Sequence, residues 1–307
     1  MTCKSCKTNP VFNLPNSNIY LCISCFNKYF EKNVFKTIRQ FNLVDKNDNI
    51  AVAVSGGKDS LSLLYILNKI TSKNKNIKLI PILIDEGIKD YRDKTIKDAK
   101  KLCKQLNLKL NILSYKKEFG YTLDQLLELS KEKPCSVCGV LRRYLLNKYA
   151  RKLKTTKIAT GHNLDDESQA IVMNQFRNNP EVNARLGPIT GIKDNPLFIR
   201  RIKPFYFLTE KETTAYAYLH KFTSNYNSCP YTYKSYRGDV RNMLNSFEQN
   251  HPGIKNSIIK SFIEILPLLK KKYSSLPDTK SCKKCKEPCS GEICQCCNLI
   301  NNIQRKK

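Results

Sequence analysis

The sequence predicts an α/β protein: one parallel sheet with helices on both faces, flanked at each end by a small four-cysteine module. Three observations predict it. Short apolar runs alternate with helical stretches from residue 49 to residue 178. A glycine-rich turn, "SGGKDS", follows the first apolar run and opens a helix. Each end of the chain carries two C-x2-C pairs. The expected divisions are 1–30 for the first module, 31–275 for the α/β domain with a helical C-terminal part, 276–300 for the second module and 301–307 for a basic tail.

Taken in order, residues 1–25 read as "CKSC", a hairpin-like middle and "CISC". Residues 26–44 are predicted helical, with Phe30, Val34, Ile38 and Phe41 near helical spacing. "NIAVAV" is a strand and "KDSLSLLYILNKI" the helix after its turn. "IKLIPILIDEG" is a second strand that ends in acids and a glycine. Residues 91–107 are helical, "LKLNILSY" is a third strand and residues 121–131 are helical. "RRYLLNKYARKL" is helical, "KIATGHN" is a fourth strand, and residues 165–178, 209–221 and most of 237–272 are helical.

Composition limits the function classes. The 307 residues hold 54 Lys and Arg against 26 Asp and Glu, a formal charge of +28 spread along the chain, and 41% are hydrophobic. That charge points to a polyanionic partner, nucleic acid first; the rival reading is a lysine-rich compositional bias in a chain also rich in Asn and Ile. "MTCKSCKTNP" has no apolar h-region and the longest apolar runs are far short of a membrane span, so a cytoplasmic protein without membrane attachment is expected. In a reducing compartment, 14 cysteines suggest metal rather than disulfides.

Cys3, Cys6, Cys22 and Cys25 form C-x2-C-x15-C-x2-C, and Cys282, Cys285, Cys294 and Cys297 form C-x2-C-x8-C-x2-C. Each set supplies four soft ligands for a tetrahedral ion, so two Zn²⁺ are expected. Cys289 and Cys296 are left over, which keeps the choice of ligands in the second set open. In the turn Ser55, Gly56, Gly57, Lys58, Asp59 and Ser60, glycines let backbone N–H groups approach phosphate, the helix start adds partial positive charge, Lys58 adds a full charge, and Asp59 is a candidate to hold Mg²⁺ or to orient the loop. It is not a Walker A loop. It resembles the PP-loop of the ATP pyrophosphatases. On that resemblance Ala53 and Val54, at the strand end before it, and the backbone of Leu83 and Ile84 on the next strand belong to the ATP site. "ATGHNLDDESQA" repeats the strand–glycine–helix arrangement with Gly161, Asp165 and Asp166; the alternatives are helix capping and a role in Mg²⁺ or nucleotide binding. His162 is a packing residue or a base, and Cys103 a buried helix thiol. "KPCSVCGVLRRY" holds Cys135 and Cys138 with no second pair beside them.

The N-terminal cysteines, "AVAVSGGKDSL", "IDEGIKDYRD", "PCSVCGVLRR", "TGHNLDDESQAIVMNQFR", "SCPY", "YRGDVRNML" and the C-terminal cysteines, in this order, resemble the cytosolic tRNA 2-thiouridine synthetase family. "CGVLRR" and "RGDVRNML" resemble its wobble-uridine branch. The resemblance implies that ATP adenylates the C2 oxygen of a tRNA uridine and that sulfur then displaces AMP. It implies that Asp166, Gly161 and Arg142 lie at the nucleotide, Arg142 standing where part of the family has Lys. It implies that Cys229 joins Cys135 and Cys138 around a [4Fe–4S] cluster with one iron free of protein ligands, where hydrosulfide binds. A persulfide on one of these cysteines and a degenerate zinc site are the rival readings. The implied partners are tRNA, a sulfur donor (sulfide or a thiocarboxylated ubiquitin-like protein) and a second copy of the chain. Thiolation of the T-loop uridine, adenylation of a different base, and a zinc-ribbon tRNA-binding scaffold remain as alternatives.

Overall fold

The computed structural model describes residues 1–17, 19–130, 132–223, 225–226, 229–232, 235–275 and 279–305. The first three residues of the expected second module and the end of the basic tail therefore lie outside the described residues.

Strands β1 (Phe12–Asn13) and β2 (Tyr20–Leu21) pair antiparallel between the first two C-x2-C turns. Helix α1 (Ile23–Gln40) leaves the second turn directly and buries Phe26, Phe30, Val34 and Ile38, the i, i+4 stripe of an amphipathic helix. It is continuous through residue 30, so the division expected there falls inside one helix.

The central sheet is built from β3 (Asn49–Ala53), β4 (Lys78–Asp85), β5 (Asn111–Ser114), β6 (Lys157–Ala159) and β7 (Arg200–Ile202). All neighbours are parallel, in the order β5-β4-β3-β6-β7. β7 is a fifth strand that the apolar runs did not announce, because it is three residues long and reads Arg-Arg-Ile. The chain builds outward from β3 through β4 to β5, then returns to place β6 on the other side. This reversal opens a crevice between the carboxyl ends of β3 and β6, where ligands of open α/β sheets bind.

The crossovers are α2 (Lys58–Thr71), α3 (Arg92–Gln105), α4 (Tyr115–Phe119), α5 (Leu123–Leu129) and α6 (Pro134–Lys152). After β6 come α7 (Leu164–Phe176), α8 (Pro180–Ala184), α9 (Glu210–Leu219), α10 (Tyr236–Asn250) and α11 (Ile254–Lys272). One face of the sheet is covered by α1, α2, α3 and α9; there Phe30 stacks on Tyr216 with ring centroids 4.2 Å apart. Against the other face pack α5 and α6. The C-terminal module, with β8 (Lys280–Ser281), β9 (Pro288–Cys289) and α12 (Gln295–Gln304), docks on α6, and its Glu287 meets Arg151 at 3.1 Å. Cys103 is buried in α3 as expected.

Candidate active site

The turn after β3 is closed by its own serines. Ser55 N donates to Ser60 Oγ at 3.0 Å, and Ser60 Oγ donates to Gly57 O at 3.0 Å. Gly56 sits at φ +80, and a Cβ there would lie 2.1 Å from the Thr95 carbonyl oxygen, so only glycine fits. Gly57 caps α2 with extended backbone, leaving the first N–H groups of the helix facing the crevice. Val54 N donates to Ile82 O at 2.8 Å, which holds the strand end in register. Leu83 and Ile84 pair with Ile112 and Leu113 of β5.

Two carboxylates flank Lys58. Its Nζ lies 3.0 Å from Asp59 Oδ2 and 3.3 Å from Glu210 Oε1. Burial works against this ammonium, but Asp59 and Glu210 outweigh it and raise its pKa. Thr213 Oγ1 donates to Asp59 Oδ1 at 2.5 Å. A third carboxylate, Asp166, feels the charge of both. Its place deep in the crevice raises its pKa to about 6, helped by the charges of Asp59 and Glu210 and opposed by Arg237. Like charges gathered beside a phosphate loop are what a divalent cation neutralises; Asp59, Asp166 and Glu210 fit that role.

The other residues of the second loop have different tasks. Asp165 is buried, its carboxylate bonded to Lys255 Nζ and accepting from Glu210 N at 2.7 Å. It ties α7 to α9 and α11, so its oxygens are taken by protein and not turned to a cation. A Cβ on Gly161 would lie 3.0 Å from the Asp59 backbone, so this glycine is needed for two loops to touch. His162 opens onto the crevice and accepts or donates to Thr160 Oγ1 at 2.9 Å. Desolvation in the crevice, with Lys203, Arg237 and Arg201 beside it and Glu167 opposing, lowers its pKa to about 4.

The cysteines of "KPCSVCGVLRRY" lie in the first turns of α6, which starts at Pro134, ahead of the expected helix. Proline at N1 is compatible with a helix start. The i, i+3 spacing puts both thiols on one face. Cys138 is buried: Arg142 Nη2 donates to its Sγ at 2.8 Å and Tyr115 Oη to its carbonyl at 3.0 Å. Cys135 is exposed, its Sγ 3.8 Å from Tyr231 O. Cys229 lies on the facing segment, where burial raises its pKa, a backbone bond from Tyr231 opposes the rise and Cys138 adds to it. Among the described residues these three are not gathered as tightly as the terminal cysteines, whose sulfurs all lie within 4.8 Å of one another.

The terminal sets do suit one ion each. Four thiolates at a Zn–S distance of ~2.3 Å stand about 3.8 Å apart. Cys6 and Cys22 are 3.4 Å apart, Cys6 and Cys25 3.7 Å, and Cys285 and Cys294 3.6 Å. The gathered residues are Cys3, Cys6, Cys22 and Cys25, and Cys282, Cys285, Cys294 and Cys297. Cys296 points into the core against α6, and Cys289 turns to Gly291 O.

Four residues of this site escaped sequence reasoning. Glu210 looks like an acid in a capped helix start, since Thr209 and Glu212 form a capping box around it. Glu86 and Arg92 are buried, with Arg92 Nε 2.8 Å from Glu86 Oε2, and Glu86 Oε1 is 3.2 Å from Arg142 Nε. Arg237 Nη1 lies 3.8 Å from Asp166 Oδ1. The signals were present, acids after β4 in "IDEG" and a basic residue in "YRGDVRNML", but no spacing rule links them.

Residues 27–247 match the PP-loop domain family. The chain is 33% identical to "tRNA 2-thiolation protein NcsA" of Haloferax volcanii, over 99% of both chains. It is 35% identical to the "tRNA-5-methyluridine(54) 2-sulfurtransferase" of Pyrococcus horikoshii, over 97% of this chain and 93% of that one. Among solved structures it is similar to the "U34-tRNA thiolase NcsA from Methanococcus maripaludis with its [4Fe-4S] cluster", with a TM-score of 0.82 and 31% identity, covering 98% of this chain and 96% of that one. The chain belongs to the PP-loop family, within its tRNA 2-thiolation proteins.

Proposed function

We propose that the protein is an ATP-dependent tRNA-uridine 2-sulfurtransferase acting on the wobble uridine. The observation that carries this reading is the line of contacts from the phosphate loop to Cys138, through Arg92, Glu86 and Arg142. The C2 oxygen of uridine is a poor leaving group. Its attack on the α-phosphate of ATP forms an O–P bond, breaks the bond to the β-phosphate and releases pyrophosphate. Sulfur arriving as hydrosulfide then bonds to C2 and expels AMP, which keeps the former uridine oxygen.

In this reading each residue has a task. The backbone of Ser55–Ser60 and Lys58 hold phosphate, and Lys58 exchanges Asp59 and Glu210 for it. Asp59, Asp166 and Glu210 hold Mg²⁺, which relieves their mutual repulsion. Arg142 stabilises the charge at the α-phosphate, where a guanidinium offers two donors in a fork. Ala53, Val54, Leu83 and Ile84 supply backbone around the adenine. Cys135, Cys138 and Cys229 would hold a [4Fe–4S] cluster, which would supply an iron without a protein ligand for the incoming sulfur. Zn²⁺ in the two terminal sets holds modules too small to own a core.

The wobble position rests on "CGVLRR" and on the likeness to the Methanococcus maripaludis thiolase; the relative of 35% identity is named for position 54, so identity alone does not separate the two. The donor is sulfide or a thiocarboxylated ubiquitin-like protein, the compartment the cytoplasm and the working form a homodimer. The expected result for anaerobically reconstituted protein with tRNA, ATP and sulfide is one pyrophosphate per 2-thiouridine. Mass spectrometry is expected to place that base at position 34, and metal analysis to find about four irons and about two zincs per chain. Full activity without iron would sink the cluster, product only at position 54 would move the target, and no pyrophosphate release would leave a binding scaffold.

A further inference from the structure

A line of alternating charges runs from the phosphate loop to the sulfur site. It starts at Arg92, near the N-terminus of α3. Arg92 Nη1 donates to Ser55 O at 2.7 Å and to Thr95 Oγ1 at 3.2 Å, and Nη2 donates to Ile84 O. One buried guanidinium thus fastens the carboxyl ends of β3 and β4 together. Its Nε is 2.8 Å from Glu86 Oε2, without the alignment of a hydrogen bond, so charge holds this pair while the Nη atoms fix the arginine. The other oxygen, Glu86 Oε1, is 3.2 Å from Arg142 Nε, and Arg142 Nη2 is 2.8 Å from Cys138 Sγ.

Glu86 is 3% exposed, whereas the Arg142 side chain is half exposed. A long cation on the wall of an open crevice has many rotamers, and ordering one costs conformational entropy. Glu86 removes that freedom. It grips the Nε edge of the guanidinium, which leaves the Nη atoms aimed at Cys138 and the crevice. Without Arg92, Glu86 itself would be a buried charge with one exposed partner. The arrangement is therefore one device of three residues: Arg92 anchors, Glu86 orients, Arg142 acts.

We propose that Glu86, anchored by Arg92, is a positioning residue that sets Arg142 between the nucleotide and Cys138, so that activation and sulfur delivery meet at one point. This rests on the functional reading above, in which Arg142 serves the α-phosphate. Removing a group that orients a metal ligand typically costs about 10–100-fold in activity, and a loss at the lower end of that range is expected for one that orients Arg142.

The test uses Glu86→Gln, Arg142→Ala and the double variant of the full chain, read in two ways. In zinc-loaded, iron-free protein at one pH, maleimide labelling of Cys138 is followed by mass spectrometry, with buried Cys103 as the internal control. Glu86→Gln and Arg142→Ala are expected to label Cys138 at the same rate as each other, several-fold away from wild type, with Cys103 unchanged. In reconstituted enzyme, Glu86→Gln is expected to lower kcat about tenfold with little change in KM for ATP, and to add no further loss in the Arg142→Ala background. Wild-type labelling of Cys138 in Glu86→Gln, or losses that multiply in the double variant, would overturn the proposal. Because Glu86→Gln unpairs two buried or half-buried cations and risks the fold, Glu86→Asp, which keeps a carboxylate between the two arginines and shortens only its reach, is read in the same two ways. A wild type that labels as expected but thiolates no tRNA would sink the functional reading and leave the positioning decided by the labelling.

Discussion

Asp166 carries a cost in stability that the proposed cation site would explain. Its carboxyl is raised from 3.8 to about 6 by its place in the crevice and by Asp59 and Glu210. An acid whose folded pKa lies above its unfolded value destabilises the fold as it ionises. The penalty is absent below 3.8 and complete above about 6. Asp166→Asn keeps an oxygen for the Asn163 N–H that Asp166 Oδ2 accepts at 3.3 Å. Without nucleotide or Mg²⁺, this variant is expected to melt a few degrees above wild type at pH 8, with the difference gone near pH 4, and to have lost most thiolation. Equal melting temperatures at pH 8 would show that the repulsion is not felt. Asp165 is the contrast: it is adjacent in sequence and the same residue type, but its partner Lys255 comes from α11. A pair of neighbouring acids at a helix start looks alike to any local rule, and only the packing of distant helices separates their roles.

At the scale of elements, two helices connect the parts. α6 carries both cysteines at its start, Arg142 and Arg143 one turn further, and the platform for the C-terminal module at its end. Its early start at Pro134 was hidden in the sequence, because Pro, Ser and two Cys do not form an apolar period. α1 joins the N-terminal cysteines to the main domain through Phe30, which is fully buried against Tyr216 of α9 and Phe205. Phe30→Ala is expected to cost about 3–5 kcal/mol, read as a lowered urea midpoint, with zinc still bound by Cys3, Cys6, Cys22 and Cys25. Loss of zinc at unchanged stability of the main domain would mean that the module and α1 are energetically separate. Phe30 itself was legible, since its spacing with Val34 and Ile38 marks one helix face; its partner on α9, far along the chain, was not.

At the scale of the whole molecule, the charge of +28 acquires a direction. Arg143 lies over Gly139 on α6, its Nη1 3.2 Å from where a Cβ would be, and Arg201 follows on β7. Crowding by protein lowers the pKa of both, and each also feels another arginine: Arg142 acts on Arg143, and Arg143 on Arg201. Among the described residues neither guanidinium has an acidic partner, so a phosphate entering there relieves their repulsion. Replacing Arg143 and Arg201 by Gln is expected to weaken tRNA binding, measured by fluorescence anisotropy. The slope of log affinity against log salt is expected to fall by about one for each phosphate that is no longer neutralised. An unchanged slope would place the tRNA backbone elsewhere. No helix of the described residues is long and apolar enough to cross a membrane.

By itself the sequence determined the alternating α/β architecture, the phosphate turn and the two terminal cysteine sets. Each is local: a strand period, a glycine that a tight turn demands, a C-x-x-C that presents two sulfurs together. The tertiary structure alone decided which carboxylates face Lys58, that Asp165 is a strut, and that Glu86 and Arg92 stand between the loop and the cysteines. Those facts depend on the order β5-β4-β3-β6-β7, which brings the ends of separate strands to one crevice. A single sequence carries no record of distances between residues that meet only after the sheet has formed. Cys135 and Cys138 show both halves: their shared helix face follows from spacing, while Arg142, Tyr115 and Cys229 reach them through the fold.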